Sequence, residues 1–303
     1  MKVLICDPTT PEAIEEMRQA GIEVEVRDNI SADELEASIP GYQGMVVRSR
    51  TKVRKNIIDA GKDLKVIVRA GVGLDNIDVA YAQSKGITVM NTPAASSTSV
   101  AELTIGYLFA LARHIPQATA SLKAKRWEKK RFKGEEIAGK TLGLIGCGRI
   151  GREVAKRAAT LGMRVIFYDV LPVDIQDATQ VGLDELLRSA DYISLHLPLT
   201  EETRHMIGAP QFERMKEGVR IIQCARGGLI DEEALYEAIR SGKVGGAALD
   251  VFEIEPAVDN RLLELEEVIG SPHIGAATEE AQARVSAEVA AKLISFCRES
   301  FQG

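Results

Sequence analysis

Several things are scarce in this sequence, and each scarcity removes a class of protein. The four cysteines, Cys6, Cys147, Cys224 and Cys297, are spread over 303 residues, with no C-x-x-C pair and no clustering with histidine. Neither a disulfide framework nor a metal site is indicated, so they read as reduced, mostly buried thiols. No apolar run approaches the roughly 20 residues needed to span a bilayer, and Met1 leads straight into "KVLICD" without a charged and apolar leader. A cytoplasmic protein without a membrane partner is expected. Charge of one sign is not concentrated anywhere: 38 basic and 44 acidic side chains are interspersed and give a net charge of -6. Nucleic acid is therefore not expected as a partner. Histidine is sparse too, with four in the chain.

What is present is enough apolar sequence for a sizeable interior. A 45% hydrophobic content over 303 residues suits roughly two domains, each with its own core. Residues 1–94 alternate between two kinds of segment. "KVLIC", "IEVEV", "MVVRS", "KVIVRA" and "ITVMN" are short runs rich in β-branched residues. Between them, segments such as "PEAIEEMRQA" and "ADELEASI" have helical spacing. A βα series of this kind predicts an open parallel sheet that binds ligands at the carboxyl ends of its strands. Arg48 and Ser49, and then "RAGVG" from Arg69 through Gly71 to Gly73, fall on that edge.

From about Ser96 to Trp127 the pattern is helical, and "SVAELTIGYLFALAR" is apolar on more than one face. Such a helix is expected to be buried between domains or subunits. The basic run "KRWEKKRF" follows it; a solvated helix end or loop is the ordinary reading of such a run.

Next comes "KTLGLIGCGRIGREVAKRAATLGMRVIFYD". Gly146, Gly148 and Gly151 form G-x-G-x-x-G between a strand and a helix, and a second strand ends in Asp169 about 20 residues later, the full context of a dinucleotide site. The first glycine makes the tight turn, the second lets the backbone approach a pyrophosphate, and the third allows close helix and strand packing. The helix N-terminus offers unpaired N–H groups and a positive dipole end to the phosphates. Asp169 is suited to accept hydrogen bonds from the ribose hydroxyls and to repel a 2′-phosphate, so NAD is expected over NADP. A methyltransferase would also place an acid here, but usually with a less regular glycine loop.

Three later strands predict where the chemistry lies. "RIIQCA" ends at Arg226, "GAALDVF" leads to Glu255, and "LEEVIGSP" leads to His273. If all three run parallel to the strand before the glycine loop, the three side chains emerge on the edge that holds the nicotinamide. Histidine, with an unperturbed pKa of about 6.5, can take the proton that an alcohol must lose along with its hydride. A neighbouring carboxylate fixes its ring, and a forked, permanently charged arginine can hold a substrate carboxylate through two hydrogen bonds. Gly227 and Gly228 are expected to remove side chains that would crowd the arginine. Glu253, two residues before Glu255, is an alternative acid. His196 lacks an acidic partner in sequence and reads as part of a cofactor-lining loop, and His114 and His205, in helix-like surroundings, read as structural.

Taken in order, "RAGVGLDNID", "NTPAASSTSVAEL", "GKTLGLIGCGRIGREVA", "CARGGLIDEEAL", "AALDVFEIEP" and "SPHIGAAT" resemble the D-isomer-specific 2-hydroxyacid dehydrogenase family, and most closely its phosphoglycerate-oxidising branch. The match runs from about residue 45 to 280. The resemblance implies an α/β protein with two parallel-sheet βα domains, in which a Rossmann NAD-binding domain is inserted in a flavodoxin-like substrate domain. The implied spans are 1–94 for the first part of the substrate domain, 95–278 for the cofactor domain, and 279–303 for a returning helix. Hinges are implied near Ala94 and Thr278.

The resemblance also implies roles. Arg226 would bind substrate, Glu255 would be the acid paired with histidine, and His273 would donate and accept the proton. NAD contacts are implied for Val72, Arg149, Ile150, Asp169, Leu197, Pro198, Cys224, Ala225, Asp250, Gly275 and Ala276. Val72 and Leu197 stand where threonine is common in relatives, so their contacts would be through backbone or apolar atoms. Pro256 after Glu255 matches the family pattern for the catalytic acid. The implied substrate is a small phosphorylated 2-hydroxy acid, its carboxylate on Arg226 and its phosphate near Arg48, Ser49, Arg69 and Gly71. A homodimer through the cofactor domain is implied, and the run Lys125 to Arg131 could then reach the neighbouring active site. Many relatives continue into serine-binding regulatory domains, so with the chain stopping at Gly303 no serine inhibition through such a domain is expected. Two other activities fit the same motifs: a glyoxylate or hydroxypyruvate reductase, and an NAD-sensing corepressor-like interaction protein.

Overall fold

The computed structural model describes residues 1–301 and divides into two compact units, Met1–Ser96 with Ala276–Gly303, and Ser97–Gly275. The first unit is built on Lys2–Ile5 (β1), Glu23–Val26 (β2), Gly44–Val47 (β3), Val66–Arg69 (β4) and Thr88–Asn91 (β5). Among the described residues these form one sheet in the order β2-β1-β3-β4-β5, every pair parallel. That is the flavodoxin-like order, with helical crossovers Pro11–Gln19 (α1), Ala32–Ser38 (α2), Lys55–Ala60 (α3) and Val79–Ser84 (α4).

Alternation along β1 divides the interior in two. Val3 and Ile5 face a core completed by Val285, Val289 and Leu293 of the last helix, Glu279–Phe301 (α11), whereas Leu4 belongs to the core of Leu35, Met45, Ile57 and Ile67 on the other face. Burying Leu293 to 0% exposure removes a whole leucine side chain from water, a contribution of roughly 1.5–3 kcal/mol.

The second unit contains Thr141–Ile145 (β6), Arg164–Tyr168 (β7), Ala178–Gln180 (β8), Tyr192–Leu195 (β9), Val219–Gln223 (β10), Val244–Leu249 (β11) and Val268–Gly270 (β12). Their order is β12-β11-β10-β9-β6-β7-β8, again with only parallel pairs. This is the Rossmann order extended by one strand, and the direction of winding reverses between β6 and β9. The short strand β8 carries the polar residues "ATQ" and gives no apolar signal, which is why sequence reading passes over it.

The helical stretch after Ser96 is two helices, Ser97–Arg113 (α5) and Ile115–Lys123 (α6), interrupted at His114, whose backbone is left-handed at φ 51°. Val100, Ala101, Leu108 and Leu111 of α5 are buried and share a core with Val154, Ala155 and Ala158 of Arg149–Thr160 (α7). The remaining crossovers are Leu183–Ser189 (α8), Ala209–Arg214 (α9) and Glu232–Arg240 (α10). No helix among the described residues is long and apolar enough to cross a membrane.

Candidate active site

The glycine loop follows β6 at the point where the strand order reverses. Gly146 has φ 90°, and a β-carbon there would lie 2.6 Å from the His196 carbonyl oxygen; one at Gly151 would lie 2.5 Å from the Gly146 carbonyl oxygen. Both positions are closed by the protein's own backbone. At Gly148 a β-carbon would meet nothing within 4 Å, so the middle glycine faces open space in front of the α7 N-terminus. The first-turn amides of Arg149 and Ile150 lack intrahelical acceptors in such a position. This is the cradle that a pyrophosphate fits.

Asp169 is tied directly to this loop: Cys147 N–H donates to its Oδ2 at 2.8 Å, and Leu171 N–H to its Oδ1 at 3.1 Å. Each carboxylate oxygen keeps a second lone pair for a ribose hydroxyl. Leu197 and Pro198 follow β9, and Cys224 and Ala225 follow β10, on the same carboxyl edge of the sheet. Burial first, and then the charge of Asp250, push the Cys224 thiol up to about 12, so it is a neutral, nearly enclosed group rather than a nucleophile.

Three loops from successive strands carry the expected triad. At the end of β10, Gln223 is 2% exposed and holds the turn that follows: its Oε1 accepts from Ala225 N–H at 3.1 Å and its Nε2 donates to the Arg226 carbonyl at 3.0 Å. Arg226 Nη1 donates to the Ala225 carbonyl at 2.6 Å. The glycine after it is not there to make room for the guanidinium. A β-carbon on Gly227 would fall 1.9 Å from the Phe252 carbonyl oxygen, so it is the contact between two backbones that demands glycine. Gly228 is left-handed at φ 83°.

After β11, Asp250 is 1% exposed, and its carboxylate is taken up by the loop that follows β12. Ile274 N–H donates to its Oδ1 at 2.8 Å, Gly275 N–H donates to its Oδ2 at 2.7 Å, and the Ser271 hydroxyl donates to Oδ1 as well. Ser99 on α5 adds a bond to the Gly275 carbonyl at 2.7 Å. The buried acid therefore holds the chain on either side of His273, whose backbone is left-handed at φ 55°, an unusual conformation for a non-glycine residue.

His273 Nδ1 lies 2.9 Å from Glu255 Oε2, and Phe252 N–H donates to the other oxygen at 3.2 Å. Burial acts to raise the Glu255 carboxyl, but the hydrogen bond and charge of His273, the Phe252 amide and the Arg226 charge together hold it below the usual carboxylate range. A carboxylate accepts only, so Nδ1 carries the proton of this pair. Glu253 has other partners: its Oε1 stands 3.0 Å from His205 Nε2 and accepts from Glu232 N–H at 3.2 Å. His205 lies in a turn, not a helix, and pairs with an acid that sequence reading considered for a different histidine. His196 is packed so closely that burial pushes its pKa down to about 4; its Nε2 is 2.9 Å from Ser194 Oγ.

In the first unit, the Arg48–Ser49 turn after β3 is held by two residues. Arg48 N–H donates to the buried carboxylate of Asp7 at 2.7 Å, and Asn76 Nδ2 donates to the carbonyls of Arg48 and Thr51, each at 2.7 Å. The Arg69 guanidinium lies across Gly71, where a β-carbon would overlap it at 1.5 Å. Asn91 Nδ2 fixes the Val72 carbonyl at 2.6 Å. Val72 and Ala276 belong to this unit, whereas the other cofactor candidates belong to the second. In the basic run, Arg126 and Arg131 both pair with Glu128, and Arg131 also pairs with Glu266.

The sequence alone gives no role to Gln223, offers Asp250 only as an NAD contact and Glu253 only as an alternative acid, and has His205 as structural; the loop-holding bonds of Asp250 and the Glu253–His205 pair are new. Only Asp250 carries a local signal, an acid ending an otherwise apolar strand.

Residues 105–275 match the family described as D-isomer specific 2-hydroxyacid dehydrogenase, NAD binding domain. The chain is 53% identical over 298 residues to a D-3-phosphoglycerate dehydrogenase of Methanocaldococcus jannaschii, covering 97% of this chain and 57% of that protein. It is 53% identical over 297 residues to a hydroxypyruvate reductase of Thermotoga maritima, covering 96% of this chain and 97% of that protein. The chain thus spans little more than half the length of the phosphoglycerate dehydrogenase it matches. Among solved structures, a D-lactate dehydrogenase from Aquifex aeolicus complexed with NAD and lactic acid superposes with a TM-score of 0.87 at 30% identity, covering 100% of this chain and 97% of that one. With the glycine cradle, the strand order and these relatives in agreement, the chain carries an NAD-binding domain and belongs to the D-isomer-specific 2-hydroxyacid dehydrogenases.

Proposed function

We propose that the protein oxidises D-3-phosphoglycerate to 3-phosphohydroxypyruvate with NAD, the reaction that opens serine biosynthesis. The observation that carries the dehydrogenase chemistry of this reading is the 2.9 Å pair between His273 Nδ1 and Glu255 Oε2, set on the same sheet edge as the glycine loop and the Arg226 turn; the phosphorylated substrate is supported by the phosphoglycerate dehydrogenase relative. When bound, NAD supplies the hydride acceptor. Gly146, Gly148, Arg149, Ile150, Gly151 and Asp169 would hold its pyrophosphate and ribose, and Leu197, Pro198, Cys224, Ala225, Asp250, Gly275, Ala276 and Val72 would line the remainder.

Arg226 grips the substrate carboxylate through its forked donors. His273 Nε2 takes the proton of the C2 hydroxyl as the hydride leaves that carbon, and the Glu255 carboxylate stabilises the imidazolium that results. In the reverse direction the same imidazolium returns the proton to the carbonyl oxygen. Arg48, Ser49, Arg69 and Gly71 are assigned to the substrate phosphate, and the units Met1–Ser96 with Ala276–Gly303 and Ser97–Gly275 to substrate and cofactor binding respectively.

A second reading, hydroxypyruvate reduction, is favoured by one observation: the relative of that name matches over 97% of its own length at the same 53% identity. The test compares D-3-phosphoglycerate with D-glycerate at alkaline pH in wild type and Arg48→Ala. Under the first reading the variant raises KM for the phosphorylated acid alone. Best turnover of D-glycerate, with Arg48→Ala unaltered, favours the second.

We also infer a cytoplasmic homodimer formed through the cofactor unit. The support is an apolar surface on α5, α6 and the segment after them, where Phe109, Ile115, Leu122 and Trp127 are 37%, 50%, 57% and 83% exposed. Sedimentation of wild type against Leu122→Asp tests it; a monomeric wild type overturns it.

A further inference from the structure

We infer that Glu253, together with His205 and Glu232, clamps the loop that carries Glu255, which makes Glu253 a positioning residue for the proton relay. The inference rests on the roles proposed above for Glu255 and His273.

Glu253 and Glu232 bond reciprocally. Glu253 N–H donates to Glu232 Oε1 at 2.7 Å, while Glu232 N–H donates to Glu253 Oε1 at 3.2 Å. Residue 232 is the first of α10, so one of its unpaired helix-end donors is satisfied from outside by an acid placed where the dipole favours it. The same Glu253 oxygen stands 3.0 Å from His205 Nε2. The backbone of His205 is in turn fixed, its N–H donating to the Gly228 carbonyl at 2.7 Å from a left-handed conformation at φ 50°. Glu232 Oε2 accepts from Asn260 Nδ2 at 2.7 Å, which holds the far end of the same loop. The clamp therefore ties together the turn at 205, the Arg226–Gly228 turn with the start of α10, and the stretch from 252 to 260.

Apolar burial anchors only the near end of this loop, where Phe252 is 6% exposed and packed in the core. Ile254, between the two acids, is 78% exposed, so beyond Phe252 polar contacts are what hold the backbone as far as Glu255. Glu255 depends on that backbone, because its Oε1 accepts from Phe252 N–H at 3.2 Å while its Oε2 faces His273. Freeing residue 253 loosens the backbone that runs from Phe252 to Glu255, and with it the Phe252 N–H bond that Glu255 accepts. The clamp touches neither reacting atoms nor cofactor cradle, so it acts on the chemical step through Glu255.

The test uses the intact protein with Glu253→Ala and Glu253→Gln. The glutamine retains an Oε1 that can accept from Glu232 N–H and from His205 Nε2–H, whereas alanine removes it. Loss of a charge-assisted bond should lower kcat of Glu253→Ala about tenfold, with KM for NAD unchanged and Glu253→Gln close to wild type. Amide hydrogen exchange at Phe252 should quicken in the alanine variant and not in the glutamine variant. Unchanged kcat with unchanged Phe252 exchange, or a glutamine variant as impaired as the alanine one, overturns the clamp. If the wild type oxidises no 2-hydroxy acid, the functional reading fails while Phe252 exchange still decides the clamp.

Discussion

A β-carbon on Gly227 would stand 1.9 Å from the carbonyl oxygen of Phe252, which puts the turn carrying Arg226 in direct backbone contact with the loop carrying Glu255. Two loops from different strands, each bearing a residue proposed for the chemistry, are thus registered against each other with no side chain between them. Gly227→Ala forces them apart. Overpacking of this kind costs about 1–3 kcal/mol, and the displacement should reduce kcat more than it changes NAD affinity. Urea unfolding and steady-state kinetics read the two effects, and a variant with wild-type midpoint and kcat would show that the loops yield freely.

Asp250 offers a second test of loop placement. Both its oxygens accept backbone N–H groups inside the protein, so Asp250→Asn would turn an amide N–H₂ toward Ile274 or Gly275. A buried donor left facing a donor costs about 1–3 kcal/mol. The expected result is a lower Tm and a loss of turnover larger than any change in NAD binding, since the chain that moves is the one bearing His273.

Acid stability should show the imprint of His196. Its folded pKa of about 4 lies below the usual value of about 6.5, so between these two pH values the unfolded chain binds the extra proton. Stability therefore falls as pH drops through that window, by up to about 3 kcal/mol from this one ring. Glu255, held below the usual carboxylate range, adds a loss in the same direction at more acid pH. Urea midpoints at pH 7 and pH 5 should converge in His196→Asn relative to wild type. An equal drop in both proteins would assign the acid sensitivity elsewhere.

Asp169→Ala should weaken NAD binding and admit NADP. The carboxylate holds the Cys147 and Leu171 amides, and in the proposed site its charge would repel a 2′-phosphate. The ratio of kcat/KM for NAD over NADP should fall by at least about tenfold, the equivalent of one charge-assisted bond. Retention of wild-type cofactor preference would remove Asp169 from discrimination.

Much of this site was legible in the sequence because its signals are local. A glycine triplet between strand and helix, an acid at the end of the next strand, and Arg, Glu and His after three later strands all follow from a parallel sheet placing strand ends on one edge. What could not be read depends on which loops touch. Glu253 and Glu255 are chemically identical and two residues apart, and only the approach of His205 to one and His273 to the other separates them. Gly227 is a glycine on account of Phe252, and Asp250 is occupied by a loop more than twenty residues away. Contacts of that range leave no spacing pattern to read.

The α11 helix makes the two ends of the chain one structure. Val285, Val289 and Leu293 complete the core begun by Val3, Ile5 and Val24, and Leu293→Ala should cost about 2–5 kcal/mol. During synthesis, β1 to β5 emerge early, but one wall of their interior is translated only after the whole cofactor unit has been made. Domains generally fold from the N-terminus as they emerge, but here the Rossmann unit can close while one face of the first sheet, covered only in part by Ala13 and Met17 of α1, still lacks the helix that completes it.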